Sequence, residues 1–142
     1  MHGKQEVTYR LKVAQGFLAE CQQDLVLQRW RSAVDNGQLT IEHATKAVLA
    51  TLGPVGRTHN PSTPLHQAHQ ENKFATALSR EVQRLAELAT LMGRDLHIQT
   101  DYGDETSGLT PWELFDETDA QQALAMAEEA VALDQTIIGN DS

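Results

Sequence analysis

At 142 residues the chain has room for one domain, with a core large enough to hold without disulfide or metal staples. Its single cysteine, Cys21, excludes an intramolecular disulfide framework and a cysteine-built zinc cluster, and fits a reducing compartment. The 17 Ala, 17 Leu and 13 Gln against 8 Val and 4 Ile favour helix over strand. Aromatic residues are 5% of the chain, too few for an extended base-stacking surface. No apolar run reaches the length of a membrane span and the first residues are polar. The chain reads as one soluble, cytoplasmic, mostly helical domain over residues 1–142.

Net charge is −9, unevenly spread. All 11 Lys and Arg lie at or before Arg94, so residues 1–94, with 8 acids, carry +3. Residues 95–142 hold 12 of the 20 acids and no base. A sequence-independent DNA binder would show the reverse surplus. The acidic third suits a solvated face or docking on a basic partner, and the first two thirds can offer a local cationic patch.

Helical spacing runs through the chain. Val7, Leu11, Ala14, Leu18, Cys21 and Leu25 form one seam at alternating four- and three-residue steps, widened by Phe17 and Leu27. Arg29 and Trp30 mark a tight bend. Val34, Gly37, Ile41, Ala44, Val48 and Leu52 repeat the rhythm, and the mid-helix glycine predicts close approach of a neighbouring helix. Gly53-Pro54 ends that helix, and residues 53–64 form a loop holding three of the four prolines. A short helix is predicted over Leu65–Asn72, and another through Leu78, Val82, Leu85, Ala89 and Met92 to Gly93. Residues 93–117 lack a steady period and read as a packed functional loop, anchored by Leu96, Ile98, Tyr102, Trp112, Leu114 and Phe115. The last helix is predicted over Asp119–Ile138, capped by Thr118 or Asp119, with a frayed tail after it. The elements predict an all-α fold, a four- to five-helix antiparallel bundle.

Motifs for chemistry are sparse. His66 and His69 share a helix face but lack a third ligand at a known spacing, and the acidic run at 101–105 lacks the alternation of a calcium loop, so no metal or other cofactor is expected. Cys21 lies on an apolar seam, as a buried small hydrophobe does. No nucleophile elbow, phosphate loop or dinucleotide fingerprint is present. The densest functional cluster is Arg57-Thr58-His59-Asn60-Pro61. Arg57 can fork onto a phosphate, His59 can move a proton, and Asn60 can pair with a base edge. The same residues can equally shape a turn.

Glu42-x-x-x-Lys46-Ala47-x-Leu49, then Gly53, then Thr58-His59-Asn60, resembles the HEPN family of small helical domains. Arg31-Ser32-Ala33 is similar to that family's bend into its second helix, and Asp119-Ala120-x-x-Ala123-Leu124-x-x-Ala127-Glu128 to its last helix. The resemblance implies a homodimerising bundle, often encoded beside or fused to a minimal nucleotidyltransferase in toxin–antitoxin pairs. Some members are ribonucleases, and others bind or recognise substrates without catalysis. The nucleases carry an arginine followed by four to six residues and a histidine. Here the close pairs are Arg57/His59, Arg57/His66 and Arg94/His97, with one, eight and two residues between, and none fits. Where relatives place an Arg-Tyr-Pro segment, this chain has Thr100-Asp101-Tyr102-Gly103-Asp104, an acidic stretch that disfavours phosphate. The expectation is a non-catalytic module for a nucleotide or RNA, with Arg31, Lys46, Arg57, His59, Asn60 and Tyr102 as ligand-binding residues. Its alternatives are a ribonuclease with a displaced Arg/His site and a structural adaptor bundle. The wide apolar faces, with Phe17, Leu27, Leu39 and Leu49 at their flanks, predict a homodimer.

Overall fold

The computed structural model describes residues 3–139, apart from the side chains at positions 94, 95, 97 and 98. Ile98, and Arg94 and His97 as a pair, therefore fall outside the described residues as far as side chains go, as does the tail 140–142. Seven α-helices are present among the described residues: α1 (Gly3–Val26), α2 (Trp30–Ala50), α3 (Ser62–Gln70), α4 (Ser79–Leu91), α5 (Arg94–Tyr102), α6 (Pro111–Leu114) and α7 (Glu117–Gly139). A single 3-10 turn, Thr76–Leu78, leads into α4. The described residues form no strand, only an isolated bridge between Asp104 and Leu109. No described helix is long and apolar enough to cross a membrane.

The all-α bundle expected from the spacing is present, with α2 at its centre and α1 antiparallel to it. Fourteen of the 21 residues of α2 are buried, so neighbours cover it on nearly every side. Along its length it packs against α1 and α7, and more locally against α3, α4, α5 and α6. Val34, Ile41, Ala44 and Val48 join Leu65, Val82, Leu85, Leu88, Ala130 and Ile137 in one apolar core. A smaller cluster of Cys21, Ala33 and Ala120 closes the end where α1 turns into α2. Ile138 stands beside Ala50 and Thr51 at the opposite end, so α7 runs in the direction of α2 and α1 runs against both.

Gly37 explains the close packing of α2 on α7. A Cβ there would lie 3.1 Å from both the Cβ and the carbonyl oxygen of Ala123. The helix-propensity cost of glycine is thus exchanged for backbone approach. The exposed Leu52 falls beyond the end of α2, which stops at Ala50, three residues before Gly53. The Thr51 N–H and hydroxyl both donate to the Val48 carbonyl there, at 3.1 and 2.6 Å.

Residues 93–117 differ from expectation. The first nine residues after Gly93 form α5, which is tied to α2 by polar contacts. Thr100 is fully buried, its carbonyl accepts from Arg31 Nε at 2.7 Å, and its hydroxyl donates to Asp35 Oδ1 at 3.3 Å. Such ties leave no period in the sequence. Leu96, Leu114 and Phe115 pack on the core as anchors, whereas Tyr102 and Trp112 are exposed. Gly103 adopts φ 74°, and a side chain there would collide with the Leu109 carbonyl oxygen. A capping box of Thr110 and Glu113 starts α6. The cap of α7 is Asp116 instead of Thr118 or Asp119: the Asp119 N–H donates to Asp116 Oδ1 at 2.9 Å, and Asp119 Oδ2 accepts from the Asp116 N–H at 3.0 Å.

Cys21 is buried, and its thiol donates to the Ala33 carbonyl at 3.2 Å. Burial, with Asp24 and Glu128 adding to it, pushes its pKa up to about 12, which keeps the thiol protonated. Asp134 is fully buried in α7, and neither carboxyl oxygen has a hydrogen-bond partner among the described residues. Desolvation raises its pKa well above the ordinary carboxyl value.

Replacing Gly37 by valine inserts atoms where none fit and is expected to cost about 1–3 kcal/mol, read as a melting temperature several degrees lower. An unchanged melting temperature would contradict the tight α2–α7 approach. Asp134 gives a pH signature. Its folded pKa is raised, so the stability it allows is complete below the usual carboxyl pKa of about 4 and is lost as pH rises through the raised value. Asp134→Asn removes that ionisation, so its stability advantage over the parent should be larger at pH 8 than at pH 4. Equal offsets in melts at the two pH values would count against an unpaired buried carboxyl.

Candidate functional site

Arg31 and Lys46 lie fifteen positions apart on α2, a rise of about 22 Å, so the six expected ligand residues do not form one site. They divide between two centres. Lys46, Arg57, His59 and Asn60 belong to the C-terminal half of α2 and the loop after it. Arg31 belongs to the elbow between α1 and α2, and Tyr102 ends α5.

Glu42 organises the first centre. It sits one turn before Lys46, and both side chains are buried, at 5% and 7% exposure. Lys46 Nζ donates to Glu42 Oε2 at 3.2 Å, and His59 Nδ1 lies 3.4 Å from Oε1. His43 Nε2 lies 4.0 Å from Oε2, and its ring stacks on Phe17 with centroids 5.6 Å apart. Burial lowers the His43 pKa, Glu42 opposes this, and Lys46, Arg10 and His59 reinforce it. His43 is therefore a neutral, structural ring at physiological pH. Arg10 Nε is buried beside this group without a hydrogen-bond partner among the described residues. A carboxylate already shared by a lysine and an imidazole leaves little net positive charge for a phosphate.

The loop residues mostly build the turn into α3. The Asn60 N–H donates to Thr58 Oγ1 at 3.0 Å, and the Ser62 hydroxyl donates to Asn60 Oδ1 at 2.6 Å. His59 is 78% exposed, with a buried carboxylate on its Nδ1 side, the arrangement that orients an imidazole for proton transfer. Arg57 is exposed, with no ion pair among the described residues. His66 and His69 tie α3 to α4 through Thr90 Oγ1 at 3.1 Å and Ser79 Oγ at 2.9 Å. Among the described residues no group of three or more His, Cys, Asp or Glu is placed to hold a metal ion.

The elbow is a different environment. Gln28 takes a left-handed φ of 58°, and the Arg29 N–H donates to the Asp24 carbonyl at 2.8 Å, reversing the chain in three residues. Asp24 Oδ2 accepts from Ser32 Oγ at 2.8 Å and Asn36 Nδ2 at 2.7 Å, locking α1 to α2. Arg29, the residue before α2, gives it no side-chain cap. Arg31 is held by the Thr100 carbonyl and by Asp101, whose Oδ1 lies 3.7 Å from Nη2. Its guanidinium carbon stands 5.7 Å from the centre of the Trp112 ring. Gln28, Arg29, Trp30, Arg31, Ser32 and Trp112 line a cleft of about 480 Å3. Tyr102 is exposed and does not line it.

Sequence reasoning finds Arg31 but misses Arg29 and Trp112 as its neighbours in this cleft. From the sequence Arg29 is part of the bend and Trp112 an anchor. The available signal is a tryptophan in a four-residue capped turn, which has no helical face to bury it.

The HEPN domain family model matches residues 7–136. In three dimensions the chain is similar to the protein TT1696 from Thermus thermophilus, with a TM-score of 0.66 and 19% identity. That similarity covers 92% of this chain and 96% of the other, and it establishes a shared fold. No curated protein matches the sequence. Since the family model spans nearly the whole bundle, from the first turns of α1 almost to the end of α7, the chain belongs to the HEPN domain family.

Proposed function

We propose that this HEPN domain is a binding module that recognises a nucleotide or an RNA end and does not cleave RNA. It acts as a homodimer in the cytoplasm, alongside a minimal nucleotidyltransferase in a toxin–antitoxin pair. The observation that carries this reading is the division of charge in the fold. Lys46 and His59 are bound up with Glu42, whereas Arg29 and Arg57 stand at the surface without a carboxylate partner among the described residues. The acids of the last third, including Glu113, Asp116 and Glu117, are exposed near the start of α7 and suit a basic protein surface. The homodimer rests on the family resemblance. Of the four flanking apolar residues, Phe17 is used internally against His43, Leu39 and Leu49 are half-buried, and Leu27 remains exposed.

A second reading, a ribonuclease with a displaced site, is favoured by one feature: His59 is exposed and backed by the Glu42 carboxylate. RNA cleavage by 2′-hydroxyl attack would need that base together with an acid and a cation on the phosphorane. Arg57, two residues away, is the nearest unpaired cation in sequence.

The two readings separate in one assay. Purified chain incubated with end-labelled RNAs from pH 5 to 8 should leave them intact. In the same samples, a nucleotide or oligonucleotide at 100 times its dissociation constant should stabilise the fold by about 2.7 kcal/mol, a melting shift of several degrees. Turnover of RNA that disappears in His59→Ala would overturn the binding-module reading and support the nuclease. Light scattering should give the mass of two copies at micromolar concentration, and a monomer there would remove the dimer.

A further inference from the structure

We propose that the cleft at the α1–α2 elbow binds a nucleoside phosphate, with the base on the open face of Trp112 and the phosphate on Arg29. This rests on the reading that the chain recognises a nucleotide or RNA end, and it names the place and the contacts.

Trp112 is 74% exposed in a short helix whose other apolar residues, Pro111 and Leu114, pack inward. The ring is nonetheless held. Arg31 stands against it at 5.7 Å, and Arg31 is fixed in turn by the Thr100 carbonyl and Asp101. A tryptophan backed by a fixed cation on one side presents a rigid, flat platform on the other, which is what a flat heteroaromatic ring stacks upon. The volume of about 480 Å3 lies within the range of small-ligand sites.

The charges in the cleft divide the labour. Asp101 lies against Arg31 and offsets its charge, so Arg31 serves as the support of the ring. Arg29 lines the same cleft, and its side chain has no hydrogen bond or ion pair among the described residues. Its guanidinium is free to take a phosphate through two parallel N–H donors. The leading N–H groups of α2, at Trp30 to Ser32, border the cleft without a side-chain cap and add a favourable field for the same anion. A stacking platform and an unpaired arginine in one concavity match a ligand with a flat base and a phosphate. An apolar peptide would leave Arg29 unsatisfied.

The ligand can be a free mononucleotide or the first nucleotide of a 5′-phosphorylated strand, since both present base and phosphate together. Calorimetric titration of the full chain with AMP, adenosine, and short oligoribonucleotides with and without a 5′-phosphate separates these sources. Binding of AMP assigns a free nucleotide, and binding of the 5′-phosphorylated strand alone assigns an RNA end; either supports the cleft if the variants respond. Trp112→Ala should weaken the binding by roughly 5- to 150-fold, and Trp112→Phe should retain most of it. Arg29→Gln should abolish the preference for phosphorylated over unphosphorylated ligand. Both positions are on the surface, so the melting temperatures of the variants should match the parent. Parent-like affinity in both Trp112→Ala and Arg29→Gln would overturn the cleft while leaving nucleotide recognition standing. No binding of any of these ligands by the parent chain would overturn both.

Discussion

The burial of α2 is the constraint on which the rest of the molecule depends. A helix covered on nearly all sides must meet two demands at once: its neighbours must come close, and its polar groups must find partners within the protein. Gly37 answers the first by letting the backbone of Ala123 approach. The second is answered locally. Thr40 and Thr45 donate to carbonyls one turn back, at 2.8 and 2.7 Å, and Glu42 pairs with Lys46. A buried ion pair of this kind contributes little net stability over apolar residues of similar size, but removing one partner would leave the other stranded. Its structural effect is to give the loop after α2 a charged point of attachment through His59.

That arrangement places the two centres at opposite ends of one rod. At the C-terminal end, Glu42 is matched by Lys46 and His59, the loop is drawn onto the bundle, and Arg57 stands exposed. At the N-terminal end, α2 begins without a side-chain cap, Arg29 is unpaired, and Trp112 is held in solvent by Arg31. The first end is organised around Glu42, with His59 and Arg57 exposed; the second is the end proposed above as the ligand site. Of the acids of the last third, Glu113, Asp116 and Glu117 lie exposed near α6 and the start of α7.

Wherever apolar side chains hold an element, its position is legible in the sequence. The seams of α1, α2, α4 and α7 follow the helical period, and Gly37 signals the close approach of another helix without naming its partner. Polar ties are not legible. α5 is held by Arg31, Asp35 and Thr100 across about 65 positions of chain, and hydrogen bonds over that distance impose no repeat. The cap of α7 falls at Asp116, a few residues early, because Thr118 and Asp119 are equally good capping types. At the site, Glu42 and Lys46 can be paired from their spacing, but their burial cannot. Trp112 reads as an anchor because a large aromatic is ordinarily core, and only the fold shows that α6 is too short to turn it inward.

On the proposal made above, this HEPN domain grips its ligand by stacking and fixed charge at the elbow, away from the histidine loop. Two-dimensional amide and indole NMR during titration with a nucleoside monophosphate tests it most directly. Resonances of residues 28–32 and the Trp112 indole should move together and saturate, while those of Arg57 to Asn60 stay in place. Shifts confined to the His59 loop, or a spectrum that does not respond, would contradict it.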